Sequence, residues 1–204
     1  MYKFPVIVFE GIEASGKSTN LNIAVNYLKK KKKKFIKLRE PGGTRFSESI
    51  RRLILSKNFK LNNKTDLLLF YAARSENFEK IIKKNYKKKI ILIDRFTDSS
   101  IAYQHFGMNI NLDIIKRLNK FILGNFKPNI TFLSTVNLNN LKTRLNKRVE
   151  LNRYDKFKLE FYKKVQNGYL KISRNNKNYI IIDSNKKSIS EVKKDIISNL
   201  KKII

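Results

Sequence analysis

The sequence predicts an α/β protein: a five-stranded parallel sheet with helices on both faces and a short lid segment. Three observations carry that prediction. Five short apolar runs, VIVFE, FIKLRE, IILIDR, ITFLST and YIIID, are continuous rather than alternating, as strands buried on both faces must be. Between them the apolar residues recur at helical spacing, so strand and helix alternate along the chain. Finally, residues 147–155, KRVELNRYD, are polar and basic between two helical patterns, which suits a lid. No repeat, Ser/Gly linker or composition break divides residues 1–204, so a single domain is expected.

The first strand, Val6–Glu10, runs into Gly11-Ile12-Glu13-Ala14-Ser15-Gly16-Lys17-Ser18 and then a helix over 16–31. That stretch fits G-x-x-x-x-G-K-[ST] between the strand and the helix that the motif requires. The glycines let backbone N–H groups point inward, Lys17 reaches the β/γ-phosphates of a nucleotide, and the Ser18 hydroxyl can ligate Mg²⁺. With Thr19, the candidate ATP-binding residues are Gly11, Glu13, Ala14, Ser15, Gly16, Lys17 and Ser18. A P-loop NTPase fold follows. Glu13 is the oddity, a negative charge among amides meant for an anion.

The second strand, FIKLRE, ends on Arg39 and Glu40, and Pro-Gly-Gly then forces a turn. Helices are expected over 47–56, with Arg51 early in it, and over 65–84. The latter puts Phe70 and Arg74 at i and i+4, on one face, where a ring and a guanidinium suit a nucleobase. The third strand, IILIDR, brings Asp94 and Arg95 to the C-terminal sheet edge, where ligands bind in open parallel sheets. Asp94 can hold Mg²⁺ directly or through water, and Arg95 can grip phosphate oxygens bidentately. Ser18, Asp94 and Glu40 are the candidate metal ligands. Helices over 99–106 and 111–124, the strand ITFLST, a helix over 138–146, the lid, a helix over 156–175, the strand YIIID and a helix over 189–202 complete the chain.

The run Asn63-Lys64-Thr65-Asp66 matches the N-K-x-D that reads guanine in GTPases, but the context is wrong. It precedes an amphipathic helix instead of following a buried strand, and no D-x-x-G follows a strand. Thr65 is expected to cap that helix.

The 46 Lys+Arg against 16 Asp+Glu give a formal charge of +30. A nucleic-acid or anionic-membrane binder is one reading. Compositional drift is the other, since Lys, Asn and Ile are enriched together and share AT-rich codons. The runs Lys29–Lys34 and Lys83–Lys89 sit where helices should end, where cations suit the dipole and solvent. With no nucleic-acid module signature, drift is favoured, and no nucleic acid is expected as a partner. The absence of cysteine excludes disulfides and cysteine-based zinc sites. The first apolar run is far too short for a signal peptide or a membrane span, so a soluble cytoplasmic protein is expected.

Taken together, G-x-E-x-x-G-K-S-T, R-E-P-G-G-T, L-L-F-x-A-x-R, D-R-F-x-D-S-S-x-A-Y-Q and a basic lid ending N-R-x-D resemble the thymidylate kinase family in its bacterial form. The likeness runs from Val6 to about Tyr169. It implies γ-phosphoryl transfer from MgATP to dTMP, giving dTDP on the way to dTTP, by a homodimer. It further implies that Phe70 stacks on thymine and Arg74 donates to its O4. Ser100 and Gln104 would lie around N3, and Tyr103 would press on C2′ of the sugar. Arg39, Arg51 and Arg95 would surround the acceptor phosphate, and Glu13 would accept from the 3′-hydroxyl. One branch of the family carries an arginine in the P-loop where this chain has Ala14, so the transition-state arginine is sought in the lid. There Arg153 ranks before Arg148, with Arg144 a further candidate, and Lys17 and Arg95 complete the catalytic set.

Two departures stand out. The family's glycine directly after Tyr-Gln is delayed here, in YQHFG, and the family's lid is often more acidic than KRVELNRYD. The lone histidine, His105, sits in the delayed-glycine segment, with a structural or solvent-exposed role expected. The competing readings are a kinase for dUMP, dCMP or a nucleoside, and a basic nucleic-acid-dependent ATPase. The stretch D-R-F, in place of the D/E-R-S common in nucleoside kinases, argues against a nucleoside acceptor.

Overall fold

The apolar runs become strands because both faces of the central ones are covered, while the two edge strands stay partly exposed. In the computed structural model, which describes residues 3–149, 151–174, 176–185 and 187–204, they form β1 (Val6–Glu10), β2 (Phe35–Arg39), β3 (Ile90–Asp94), β4 (Ile130–Thr135) and β5 (Tyr179–Asp183). The helices are α1 (Lys17–Lys30), α2 (Arg45–Leu55), α3 (Asn63–Asn77), α4 (Lys83–Asn85), α5 (Thr97–Ser100), α6 (Leu112–Leu123), α7 (Leu138–Asn146), α8 (Leu159–Ser173) and α9 (Ile189–Ile203). One sheet runs in the order β2-β3-β1-β4-β5, with every pairing parallel.

Along β1, Ile7 and Phe9 pack with Leu21, Ala24 and Leu28 of α1 and with Val192 and Ile196 of α9. Val6 and Val8 turn the other way, toward Leu38, Ile91, Ile93 and Phe78. This two-sided burial is why no polar alternation marks the strands. The register sets Arg39 level with Asp94, Asp94 level with Phe9, and Phe9 level with Phe132. The C-terminal strand ends therefore form one edge, on which Glu10, Arg39, Asp94 and their successors stand. There β1 feeds α1 on one face while β3 feeds α5 on the other, and the chain parts to leave a crevice.

Four details differ from the sequence expectation. The cap of α3 is Asn62, whose side chain accepts from the Thr65 amide at 2.9 Å, so Thr65 lies inside the helix. The single helix expected over 65–84 is α3 joined to α4 through a π turn, Phe78–Ile82. A second π turn, Ile101–Gly107, extends α5 and contains YQHFG. The helix expected from 156 starts at Leu159, because Arg153–Lys156 winds as a 3₁₀ turn closed by a capping box between Asn152 and Asp155. Of the lid, Glu150 lies outside the described residues. The lysine runs behave as expected: α1 stops at Lys30, and Lys31–Lys34 form an exposed turn into β2. His105 is structural, its Nδ1 2.8 Å from the Ile110 carbonyl oxygen. Among the described residues no helix is long and apolar enough to cross a membrane.

Candidate active site

The sheet edge opens into a cleft of about 760 Å³, within the usual range for ligand sites. Its floor is the loop between β1 and α1. Gly16 caps α1 at φ 90° with no side chain satisfying the first amides, so those N–H groups face the cleft, where an anion suits them. Gly11, at φ 143°, lies beneath the loop. A β-carbon there would stand 2.4 Å from the Ser134 carbonyl oxygen and 2.6 Å from Ser15 Oγ, so Gly11 and Ser15 shape the loop from below. Glu13, Ala14, Gly16, Lys17, Ser18 and Thr19 line the cleft itself.

Lys17 Nζ meets Asp94 Oδ1 across the crevice. Burial, with Arg95 nearby, holds the lysine below its ordinary pKa. Burial also pushes the Asp94 carboxyl up, but Lys17 and the neighbouring guanidinium groups outweigh it and leave the group below the usual carboxylate range. The acid is therefore ionised at neutral pH. Arg95 stands one residue past β3 at φ 66°, a left-handed conformation that costs a non-glycine residue about 1–2 kcal/mol. That turn aims its guanidinium at Glu13 Oε1, 2.9 Å away, with its face 5.1 Å from the Tyr103 ring centroid.

Glu13 also accepts from the Tyr103 hydroxyl. The acid in the phosphate loop thus turns away from the loop amides and toward the opposite half of the cleft. Beneath it, buried Glu10 accepts from the Phe96 and Ser99 amides, from Ser99 Oγ at 2.6 Å and from the Tyr169 hydroxyl at 3.0 Å. Tyr169 in turn accepts from Arg95 Nη1 at 3.3 Å, which ties the arginine to this buried cluster. Burial, reinforced by Asp98, pushes the Glu10 carboxyl up to about 7.

On the far side lie Arg39, Arg51, Phe70, Ser100, Tyr103 and Gln104. Arg39 is held by Glu48 at 2.7 Å, and Arg51 by the Pro41 carbonyl oxygen at 2.8 Å. The Phe70 ring is fixed edge-to-face by Tyr154, with centroids 6.0 Å apart. Ser100 Oγ and Gln104 Oε1, on two residues that line the cleft, are buried with no hydrogen-bond partner among the described residues.

Two expected site residues stand elsewhere. Arg74 shares a helix with Phe70 but does not line the cleft. It is 1% exposed, with Nε 2.7 Å from Glu40 Oε2, Nη2 2.9 Å from the Phe96 carbonyl oxygen, and the rings of Tyr71 and Phe96 on either side. Arg153 is drawn to α3, where it donates to Asp66 and to the Ile54 carbonyl oxygen. The lid arginine on the cleft wall is Arg148, paired with Asp155, alongside Arg144 from α7. Arg144 binds the Ala14 carbonyl oxygen at 3.0 Å and Ser184 at 3.2 Å, strapping the phosphate loop to the end of β5.

Ser184, Lys187, Ile189 and Val192 add a wall that sequence reasoning missed. Ser184 was findable, since it follows β5 as Arg95 follows β3.

A hard divalent cation fits the donor set. The Ser18 hydroxyl and the ionised Asp94 belong to the cleft wall, as does the buried Glu40, and all offer oxygens, although among the described residues no three acidic or histidine side chains gather as a metal cluster. Glu40 is otherwise committed to Arg74, and burial holds its carboxyl above the usual range, only partly offset by that arginine. Ser18 is thus the freest donor, and Asp94 shares its carboxylate with Lys17.

A sequence model of the thymidylate kinase family matches residues 9–196. A thymidylate kinase of Thermosipho africanus is 43% identical over 197 residues, covering 96% of this chain and 97% of that one. One from Hahella chejuensis is 36% identical over 203 residues, covering 98% and 97%. The crystal structure of thymidylate kinase from Ehrlichia chaffeensis superposes with a TM-score of 0.79 at 33% identity, covering 98% of this chain and all of that one. With a phosphate loop facing an arginine-lined wall across one cleft, and likeness to these relatives along nearly its whole length, the chain belongs to the thymidylate kinase family.

Proposed function

We propose that the chain is a single cytoplasmic kinase domain that transfers the γ-phosphoryl group of ATP to dTMP, giving dTDP and ADP. The observation that carries this reading is the double attachment of Glu13. It belongs to the phosphate loop, yet it is bound to Arg95 and Tyr103 on the acceptor side, so one loop touches both substrates.

The nucleophile is an oxygen of the dTMP phosphate, whose second pKa near 6 leaves it anionic at neutral pH, so no dedicated base is needed. The obstacle is the approach of two polyanions in line. Cations and exclusion of water answer it. The loop amides and Lys17 hold the donor phosphates. Arg39, Arg51 and Arg95 hold the acceptor phosphate, the last in an orientation fixed by Glu13 and Tyr169. Arg148 and Arg144 supply further charge from the lid side. Phe70 stacks on thymine, Ser100 and Gln104 read its edge, and Tyr103 stands where a ribose 2′-hydroxyl would intrude. A carboxylate has about four lone-pair sites, so Glu13 has room for the sugar 3′-hydroxyl beside its two present donors. Ser18 and Asp94, with Glu40 a further candidate, would hold Mg²⁺ with the nucleotide, and the ion would supply neutralisation of phosphate charge.

A homodimer is part of this reading. Phe46 and Leu53 of α2, Leu68 of α3 and Phe121 of α6 are exposed at 57%, 45%, 58% and 86%, apolar surface suited to a second copy.

A coupled ADP-release assay across dTMP, dUMP, dCMP, UMP and dGMP tests the substrate. Selective turnover of dTMP is expected, and preference for a ribonucleotide overturns the reading. Lys17→Ala should abolish turnover in a folded protein, and retained activity removes the loop from the mechanism.

A further inference from the structure

The run Asn63-Lys64-Thr65-Asp66 reads no guanine, but its last residue has another use. Asp66, on α3, is 1% exposed and gathers three donors. Arg153 of the lid donates to Oδ1, the Tyr154 hydroxyl to Oδ2 at 2.5 Å, and Gln104 Nε2 to Oδ2 at 3.2 Å. A carboxylate meeting an arginine and a phenol can only accept, so it obliges the Gln104 amide to present its NH₂ group to Asp66. The other end, Oε1, has no partner among the described residues, on a residue that lines the cleft and is itself 1% exposed.

We propose that Asp66 is the specificity-setting positioning residue of the base site. By locking the Gln104 amide with its carbonyl toward the cleft, it selects a pyrimidine with an N3–H donor over one with an N3 acceptor. The proposal rests on the dTMP reading above. Thymine and uracil carry N3–H and satisfy Oε1. Cytosine presents a lone pair at N3, so two acceptors face each other in a buried site, a mismatch that costs much of a hydrogen bond's desolvation. If the amide turned over, its NH₂ would suit cytosine instead. The same carboxylate holds Arg153 and Tyr154 of the 3₁₀ turn, so the amide is fixed where the lid docks.

The test is Asp66→Asn, which can donate to Oε1 and so permits the turned amide. The ratio of kcat/KM for dTMP over dCMP is expected to fall at least about tenfold, a loss of roughly 1.4 kcal/mol of discrimination. The dTMP-to-dUMP ratio should hold, because both bases carry N3–H. Loosening of the lid affects all three substrates alike and leaves both ratios in place. In a Gln104→Met background, which lowers the dTMP-to-dCMP ratio on its own, Asp66→Asn should change that ratio no further. An unchanged dTMP-to-dCMP ratio in folded Asp66→Asn overturns the proposal. If that variant does not fold, Gln104→Met decides alone, and an unaltered ratio there overturns it equally. Failure of the wild-type protein to phosphorylate dTMP is a separate result, which sinks the substrate reading itself.

Discussion

Arg74→Ala separates two roles for the same guanidinium. If it reads the base from the cleft, its loss raises KM for dTMP and leaves the fold alone. The structure puts it in the wall, where it makes a 2.7 Å pair with Glu40 at 1% and 3% side-chain exposure. Removing it strands a buried carboxylate whose protonation burial already favours. Removing one partner of a buried pair costs about 3–5 kcal/mol. In a domain of about 200 residues each kcal/mol moves Tm by roughly 2–4 °C, so the expected drop is on the order of 6–20 °C. Calorimetry on Arg74→Ala, on Glu40→Gln and on the double variant measures it. Neutralising the stranded acid should return part of the loss, so the two substitutions should not be additive. A Tm within about 3 °C of wild type, with only the KM for dTMP raised, refutes the wall assignment and returns Arg74 to the base.

Gly11→Ala must strain a backbone at φ 143° and push against the Ser134 carbonyl oxygen at 2.4 Å, so a loss of about 2–5 kcal/mol and weakened ATP binding are expected in thermal melts and ATP titration. An unshifted Tm would mean that β4 gives way freely. Glu10, pushed up to about 7 from 4.5, binds its proton more readily folded than unfolded. Its contribution to stability therefore falls as pH rises through that window, by up to about 3 kcal/mol. Glu10→Gln lacks this slope, so its Tm relative to wild type should improve steadily from pH 5 to pH 8, and a constant difference contradicts the assignment. Arg148→Ala should lower kcat by about 10²-fold or more, as loss of a transition-state donor does, while Arg153→Ala should act mainly on KM and Tm. The reverse order in steady-state kinetics would give the catalytic role back to Arg153.

The sheet was legible because burial on both faces of the central strands writes itself into near-continuous apolar runs, and the phosphate loop because its glycines and Lys17 have few other uses at that spacing. Phe70, Tyr103 and Gln104, expected together through the family likeness, line one cleft. What escaped was partner choice across the fold. Arg74 and Glu40 lie 34 residues apart, and Arg153 and Asp66 lie 87 apart, so local sequence gave no sign that either arginine was already engaged. In a lysine-rich chain, rank among lid cations is equally invisible. Helical periodicity also has no means of announcing a π turn, since one wide turn barely alters the spacing of apolar residues. Nor did it separate Asn62 from Thr65 as the cap, two polar residues three positions apart that both suit the role.

The π turn of Ile101–Gly107 has an effect beyond its own length. Its i→i+5 winding is wider than an α turn, and within it Tyr103 and Gln104, neighbours in sequence, both reach the cleft while Gly107 still lies flush against Phe161 of α8. The delayed glycine is thus absorbed as a change of pitch. This wall of the cleft is then a property of the backbone's winding as much as of the residues on it. Grafting Tyr-Gln onto a regular helix would not rebuild it, whereas removing a single residue from the turn would swing both side chains away from the cleft without altering either one.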